Sequence, residues 1–228
     1  MGKPAYFLDF EFKTEGMTFF PRPETEILVE RAVSALSERK GREYRYDVLE
    51  IGTGCGNIAI SLTKHLPSSR IIASDISESA LWAASCNASF YGVSGRVDFI
   101  RRDLFRGMPD AYIGYFDLVI SNPPYVSLAD FPTLPGEVRD DPYSALYGGE
   151  DGLKFYREIA KDAPLFLKKE GLLMMEIGYG QSAAVRGMLA LNGAFKDIEI
   201  YKDYNGIDRI IKACSVQKPE LRSQMSDF

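Results

Sequence analysis

A chain of 228 residues with 46% hydrophobic, 12% aromatic and 26% charged residues has the make-up of an ordinary globular protein, which excludes disordered, collagen-like and membrane-spanning classes. Its length suits one large α/β domain, or one domain with a short appendage, and not two full-size domains. A formal net charge of −5 is the reverse of the broad basic field used to grip nucleic-acid phosphates, so nucleic acid is not expected as the direct substrate.

Residues 6–20 read as a small hairpin, LDFEF then MTFF, reversing near Glu15-Gly16. Residues 1–22 are expected to form this hairpin appendage. Pro23 suits a first helical position and Glu24 and Glu26 a helix N-terminus; Ile27, Leu28, Ala32, Val33 and Leu36 recur at helical spacing up to a stop at Gly41. From Asp47 strand and helix alternate: DVLEI, a glycine loop, a helix over 57–66, the strand RIIASDI, and a helix over about 78–90 that Ser77 can cap. VDFI, FDLVIS and GLLMMEI add three apolar strands, with a helix over 153–167 ahead of the last and another over 182–191 after it.

That alternation argues for an α/β fold with a mostly parallel sheet covered on both faces. DIEIYKD and DRIIKAC are separated only by Tyr204-Asn205-Gly206, too short for a helical crossover, so one terminal strand must run antiparallel. The main domain is expected over residues 23–216 and a flexible polar tail over 217–228. Ligands of open sheets sit beyond the carboxyl ends of the strands where strand order reverses, so the loops after Ile51, Asp75, Ile100 and Ser121 should form the site.

Cys55, Cys86 and Cys214 match neither zinc-ligand spacing nor a paired disulfide framework, and they read as reduced thiols with no metal expected. No run approaches the roughly 20 apolar residues of a membrane span, and no signal peptide is evident, so a cytoplasmic protein without a membrane partner is expected. His65 is the sole histidine; ahead of Leu66-Pro67 it suits the last carbonyls of a helix better than catalysis. Trp82 is expected to pack in the core or beside a cofactor, and Arg101-Arg102 and Lys168-Lys169 to be solvated unless they lie on the site rim.

The run Gly52, Thr53, Gly54, Cys55, Gly56 follows a strand and opens a helix, where glycines let a ligand approach the backbone closely. Asn57 stands where a dinucleotide fingerprint needs its third glycine, and the lysine of a P-loop is missing. Asp75, at the end of the second strand of the alternating series, can accept hydrogen bonds from both hydroxyls of a ribose, which implies a ligand containing a nucleoside.

FDLVIS ends in Asn122, Pro123, Pro124 and Tyr125. Two prolines straight after a buried strand stop its ladder and stiffen the turn. Such a turn can aim the Asn122 side-chain oxygen and the Pro123 carbonyl at one point, where they accept both hydrogens of a planar amino group, with Tyr125 against its face. A nitrogen whose lone pair is delocalised is a poor nucleophile and gains from being held in line and kept dry.

Together EIGTGCG, Asp75 and NPPY resemble class I S-adenosylmethionine-dependent methyltransferases that modify planar nitrogens. FPRPETEILVE over residues 20–30, Arg102-Asp103-Leu104-Phe105, the GGEDG stretch within residues 137–159, MEIGYGQ over 175–181 and Gly206-Ile207-Asp208-Arg209 look like the HemK/PrmC family of peptide-chain release factor glutamine methyltransferases. The resemblance implies a Rossmann-like seven-stranded fold. It also implies methyl transfer from S-adenosylmethionine, leaving S-adenosylhomocysteine, to the glutamine side-chain amide in the Gly-Gly-Gln loop of a release factor. By it Gly52 to Gly56 lie along the methionine portion, Asp75 binds the ribose, Asp103 and Leu104 neighbour the adenine, Asn122 borders the cofactor, and Asn122 to Tyr125 hold the amide. It further implies a helical N-terminal domain ahead of the hairpin, which this sequence is expected to lack. NPPY would also suit an exocyclic amino group of adenine or guanine, or a glutamine of a ribosomal protein.

Overall fold

The computed structural model describes residues 4–14, 20–139 and 141–216. Seven strands form one sheet: β3 (Asp47–Ile51), β4 (Arg70–Asp75), β5 (Val97–Arg101), β6 (Phe116–Ser121), β7 (Leu167–Glu176), β8 (Phe195–Lys202) and β9 (Asp208–Ser215), in spatial order β5-β4-β3-β6-β7-β9-β8. Pairings from β5 through β7 are parallel. β9 lies antiparallel between β7 and β8, as the short Tyr204–Gly206 connection requires.

Helix α1 (Pro23–Lys40) begins on its proline, carries Glu24 and Glu26 in its first turn and ends at Gly41, whose φ of 80° suits glycine. α2 (Asn57–His65) and α3 (Glu78–Phe90) follow β3 and β4, and the Ser77 side chain caps α3 by accepting from the Ala80 N–H. Two single turns, α4 (Gly136–Arg139) and α5 (Tyr143–Leu146), precede α6 (Lys154–Phe166); α7 (Ser182–Asn192) leads into β8.

Strand side chains alternate between two cores. Leu118, Ile120, Leu172 and Met174 pack with Leu28, Leu36, Ile58 and Leu62 on one face; Val119, Leu173 and Met175 pack with Tyr156, Ile159, Val185 and Leu189 on the other. β7 starts ahead of the expected GLLMMEI run because Leu167 already pairs with Phe116.

The N-terminal hairpin departs from expectation. Its strands are β1 (Pro4–Phe7) and β2 (Phe10–Lys13), with the reversal at Leu8-Asp9 inside LDFEF. This register buries Phe7 and Phe12 fully against the α1 and α2 face and sets Phe10 edge-on to Tyr91 and His65. Leu8 takes a φ of 50°, and its N–H donates to Glu26 Oε1 of α1 at 2.7 Å. The expected reversal at Glu15-Gly16 lies outside the described residues, as do most of MTFF and the tail over 217–228.

Trp82 is 58% exposed on α3, so the expectation of core packing fails. Lys168 sits at the start of β7, at the opposite end of the sheet from the expected site, bound to Asp117 at 2.7 Å and Asp47 at 3.5 Å. His65 Nδ1 lies 2.8 Å from the Ser61 carbonyl oxygen in the last turn of α2. No described helix is long and apolar enough to cross a membrane.

Candidate active site

Strand order reverses between β3 and β6. Ile51 and Ser121, their last residues, are partners in the parallel ladder, and the Ser121 hydroxyl donates to the Ile51 carbonyl at 2.8 Å. The glycine loop and the NPPY turn therefore leave the sheet side by side, about 4.8 Å apart at their roots.

Gly52, Gly54 and Gly56 all have positive φ, at 74°, 56° and 85°, a region that costs glycine nothing. A Cβ on Gly56 would press on Ala84 and Ile60 at 3.1 Å, whereas one on Gly52 or Gly54 would meet nothing within 4 Å. Gly56 thus serves helix packing, while Gly52 and Gly54 leave open backbone for a ligand. Gly52 and Thr53 donate their N–H groups to the Ser74 carbonyl, and Gly54 donates to Asp75 Oδ2 at 2.9 Å. Ser77 N–H donates to Asp75 Oδ1. Each Asp75 oxygen keeps one further accepting site for a ligand hydroxyl. Burial raises the Asp75 pKa, and these backbone hydrogen bonds oppose that shift.

Glu50 lies directly beneath the loop and is fully buried. Its Oε2 accepts from Thr53 Oγ1 at 2.9 Å, but Oε1 is buried without a partner. Burial pushes its pKa up to about 8. A buried carboxyl with an orphaned oxygen behind open glycine backbone fits a cationic ligand group, whose charge would lower its pKa and ionise it.

Cys55 is buried and its thiol is pushed up to about 12 by burial, so it packs rather than reacts. Asp103 and Leu104 follow β5 beside the Asp75 strand, where Arg102 N–H donates to the Asp75 carbonyl. Asp103 pairs with Arg106 at 2.8 Å, and Leu104 holds a strained φ of 52°.

On the other side of the switch point, Asn122 Nδ2 donates to Thr25 Oγ1 at 3.0 Å, and Thr25 donates in turn to Glu176 Oε2 at 2.6 Å. Asn122 Oδ1 has no hydrogen-bond partner among the described residues. The amide is therefore held with its oxygen available to an acceptor group. Thr25 comes from the first turn of α1, and Glu176 is the last residue of β7. Both are buried, and burial raises the Glu176 pKa to about 7.

Pro124 and Tyr125 are clamped from behind. Gln181 Nε2 donates to the Tyr125 carbonyl at 2.9 Å, while its Oε1 accepts from Gly178 N–H at 3.0 Å. A Cβ on Gly148 would stand 2.7 Å from the Pro124 carbonyl oxygen, and one on Gly152 would clash with that of Tyr125. The GGEDG loop thus needs its glycines to seat the NPPY turn. Gly152→Ala, with φ of 74° besides, is expected to destabilise the fold by about 1–3 kcal/mol. Gly95→Ala, where a Cβ meets nothing, should stay within about 0.5 kcal/mol. Urea unfolding of the two variants checks this.

The two buried acids also give stability a pH dependence. Each has a folded pKa above its unfolded value, so its contribution to stability is fully present below about pH 4.5, where both states hold the proton. That contribution is lost as the pH rises through about 7 for Glu176 and about 8 for Glu50. Thermal unfolding of the ligand-free protein should therefore move to lower temperature from pH 5.5 to 8, and Glu50→Gln should flatten that slope.

Sequence reading brought Gly52 to Gly56, Asp75, Asp103, Leu104 and Asn122 to Tyr125 to one edge, and the structure places all of them there. It assigned no role to Glu50, Thr25, Glu176 or Gln181. The available signal was an acid inside an otherwise apolar strand, DVLEI and LLMMEI, which only a buried partner or ligand justifies.

The Methyltransferase small domain family matches residues 25–132. A release factor glutamine methyltransferase of Chlorobaculum tepidum is 39% identical over 209 residues, spanning 90% of this chain and 70% of that protein. A methyltransferase from Pyrococcus furiosus superposes with a TM-score of 0.65 at 14% identity, covering 90% and 88% of the two chains. The N-terminal domain of human METTL16 in complex with SAH superposes with a TM-score of 0.62 at 16% identity, covering 88% and 74%. These two structures share the class I methyltransferase fold found here. With the sequence identity and coverage of the Chlorobaculum protein added, the chain belongs to the release factor glutamine methyltransferase family.

Proposed function

We propose that this chain transfers a methyl group from S-adenosylmethionine to the side-chain amide nitrogen of a glutamine, the one in the Gly-Gly-Gln loop of a peptide-chain release factor. The observation that carries the reading is the Asn122 amide, fixed with its oxygen unpaired beside the open backbone of Gly52 and Gly54. The name of the Chlorobaculum relative supports the choice of substrate, and a release-factor substrate places the enzyme in the cytoplasm.

The cofactor, when bound, supplies an electrophilic methyl group on a sulfonium. Gly52 and Gly54 offer it backbone, Glu50 a counter-charge, Asp75 acceptors for the ribose hydroxyls, and Asp103 and Leu104 a boundary for the adenine. Asn122 Oδ1 and the Pro123 carbonyl accept the two amide N–H groups, and the Tyr125 ring lies against the amide plane. As the nitrogen gains its new bond, positive charge develops on the N–H groups, and these two fixed acceptors stabilise it without reorganising. The N-methylated amide, cationic and strongly acidic, then loses one N–H proton to water, so no histidine or cysteine is required. His65→Ala should accordingly leave turnover within about twofold, checked in the same transfer assay.

The test is to incubate the protein with methyl-labelled cofactor and, separately, a release factor, its loop variant with the glutamine replaced by alanine, ribosomal proteins, DNA and RNA. Label is expected in the release factor and not in its loop variant. Label in nucleic acid alone would assign the site to an exocyclic base nitrogen. Label in ribosomal protein alone would move the glutamine to another partner.

A further inference from the structure

An asparagine amide can present either its oxygen or its NH2 to a ligand, because the two ends have the same shape and opposite hydrogen-bonding sense. Only the oxygen end can accept from a substrate N–H. Thr25 Oγ1 decides between them, and it has a single proton. Once that proton is given to Glu176 Oε2 at 2.6 Å, the hydroxyl has only lone pairs left for Asn122, and it takes the Nδ2–H at 3.0 Å.

We propose that Thr25 and Glu176 are positioning residues that couple the ionisation of the Glu176 carboxyl to the orientation of the Asn122 amide. With the carboxylate ionised, the Thr25 proton points to Glu176 and Asn122 Oδ1 faces the acceptor. With the carboxyl protonated, its O–H donates to Thr25 Oγ1, the threonine proton turns to Asn122, and the amide rotates to accept it through Oδ1. Nδ2 then faces the acceptor, donor against donor, and the site cannot hold an amide nitrogen. The one covalent change is the O–H bond the Glu176 carboxylate forms with a proton from solvent; every other change is in hydrogen bonds.

The groups around Glu176 set where this occurs. Thr25 donates to it, the nearby Asn122 amide and Arg209 of β9 favour its charge, and Glu24 of α1 disfavours it. The Tyr125 and Tyr156 hydroxyls face it from the NPPY turn and α6. Burial is the largest influence and brings the carboxyl to about 7, so both forms are populated near neutral pH. The coupling rests on the proposed function in that Asn122 accepts from the substrate amide, but the orientation itself can be measured without any substrate.

The experiment has two arms. In the first, the wild-type protein carries 13C-labelled glutamate and 15N-labelled asparagine, and the Glu176 carboxyl and Asn122 side-chain resonances are followed from pH 5.5 to 8.5. A shared midpoint near neutral pH is expected, and in Thr25→Val the Asn122 resonances should no longer follow the carboxyl. Asn122 resonances that ignore the Glu176 titration in wild type would overturn the proposal. The second arm is methyl transfer to the release factor. Thr25→Val should lower kcat at pH 8 by about tenfold or more with KM within about twofold, and Thr25→Ser should restore it. Glu176→Gln, with no proton to lose, should remove the acid limb of the kcat profile. Wild-type kcat and an intact acid limb in Thr25→Val would also overturn it. If the wild-type protein methylates no glutamine, the proposed function fails while the first arm still decides this coupling.

Discussion

Asn122→Ala is expected to cut the methyl-transfer step by about a hundredfold or more, the scale of losing a preorganised polar contact in a closed site. The loss should fall on kcat, because the Asn122 oxygen helps most when charge develops on the substrate nitrogen. Cofactor affinity should change far less: the open glycines, Glu50 and Asp75 all lie on the β3 and β4 side of the switch point. The variant also leaves Thr25 Oγ1 without the amide that donates to it, so a modest fall in stability should accompany the kinetic effect. Single-turnover rates with saturating cofactor, together with calorimetric binding, separate the two effects. Near-normal turnover would remove the NPPY turn from the chemistry.

Asp75→Ala is expected to weaken S-adenosylmethionine binding at least tenfold. Two hydrogen bonds to a carboxylate are at stake, each worth about 1.5–3 kcal/mol at most. Asp75 does a second task that deepens the loss. Its oxygens hold the N–H groups of Gly54 and Ser77, so truncation loosens the glycine loop and the start of α3 as well. Asp75→Asn, which keeps one accepting oxygen, should fall between wild type and alanine in isothermal titration. NAD and ATP should fail to compete, since Asn57 replaces the third fingerprint glycine and no P-loop lysine is present. An unchanged dissociation constant in Asp75→Ala would place the ribose elsewhere.

The parts of this molecule that could be read in its sequence are those whose cause is local. The helix over residues 23–40 and the alternating strands and helices fall into place because buried strands are short apolar runs, Ser77 caps, Pro23 starts and Gly41 stops; the short turns α4 and α5 carry no such signal. The glycine loop and NPPY follow strands directly, so fold logic alone sends both to the same edge. The hairpin was misread because its register depends on distant groups. The reversal inside LDFEF carries no local turn signal: Leu8 takes a left-handed conformation and donates to Glu26 of α1, and Phe7 and Phe12 are fully buried. The support behind Asn122 escaped for the same reason. Thr25 and Glu176 lie 151 residues apart, and nothing in either local pattern names the other. Net charge gave no hint of the two buried carboxylates that set the pH response.

The most direct test of the account is a crystal structure of the protein with S-adenosylhomocysteine and a peptide carrying Gly-Gly-Gln. It should show the glutamine amide nitrogen within hydrogen-bond distance of both Asn122 Oδ1 and the Pro123 carbonyl, its plane against Tyr125, and the cofactor ribose on Asp75. A glutamine side chain bound away from the NPPY turn, or an Asn122 amide presenting its nitrogen to the substrate in that complex, would contradict it.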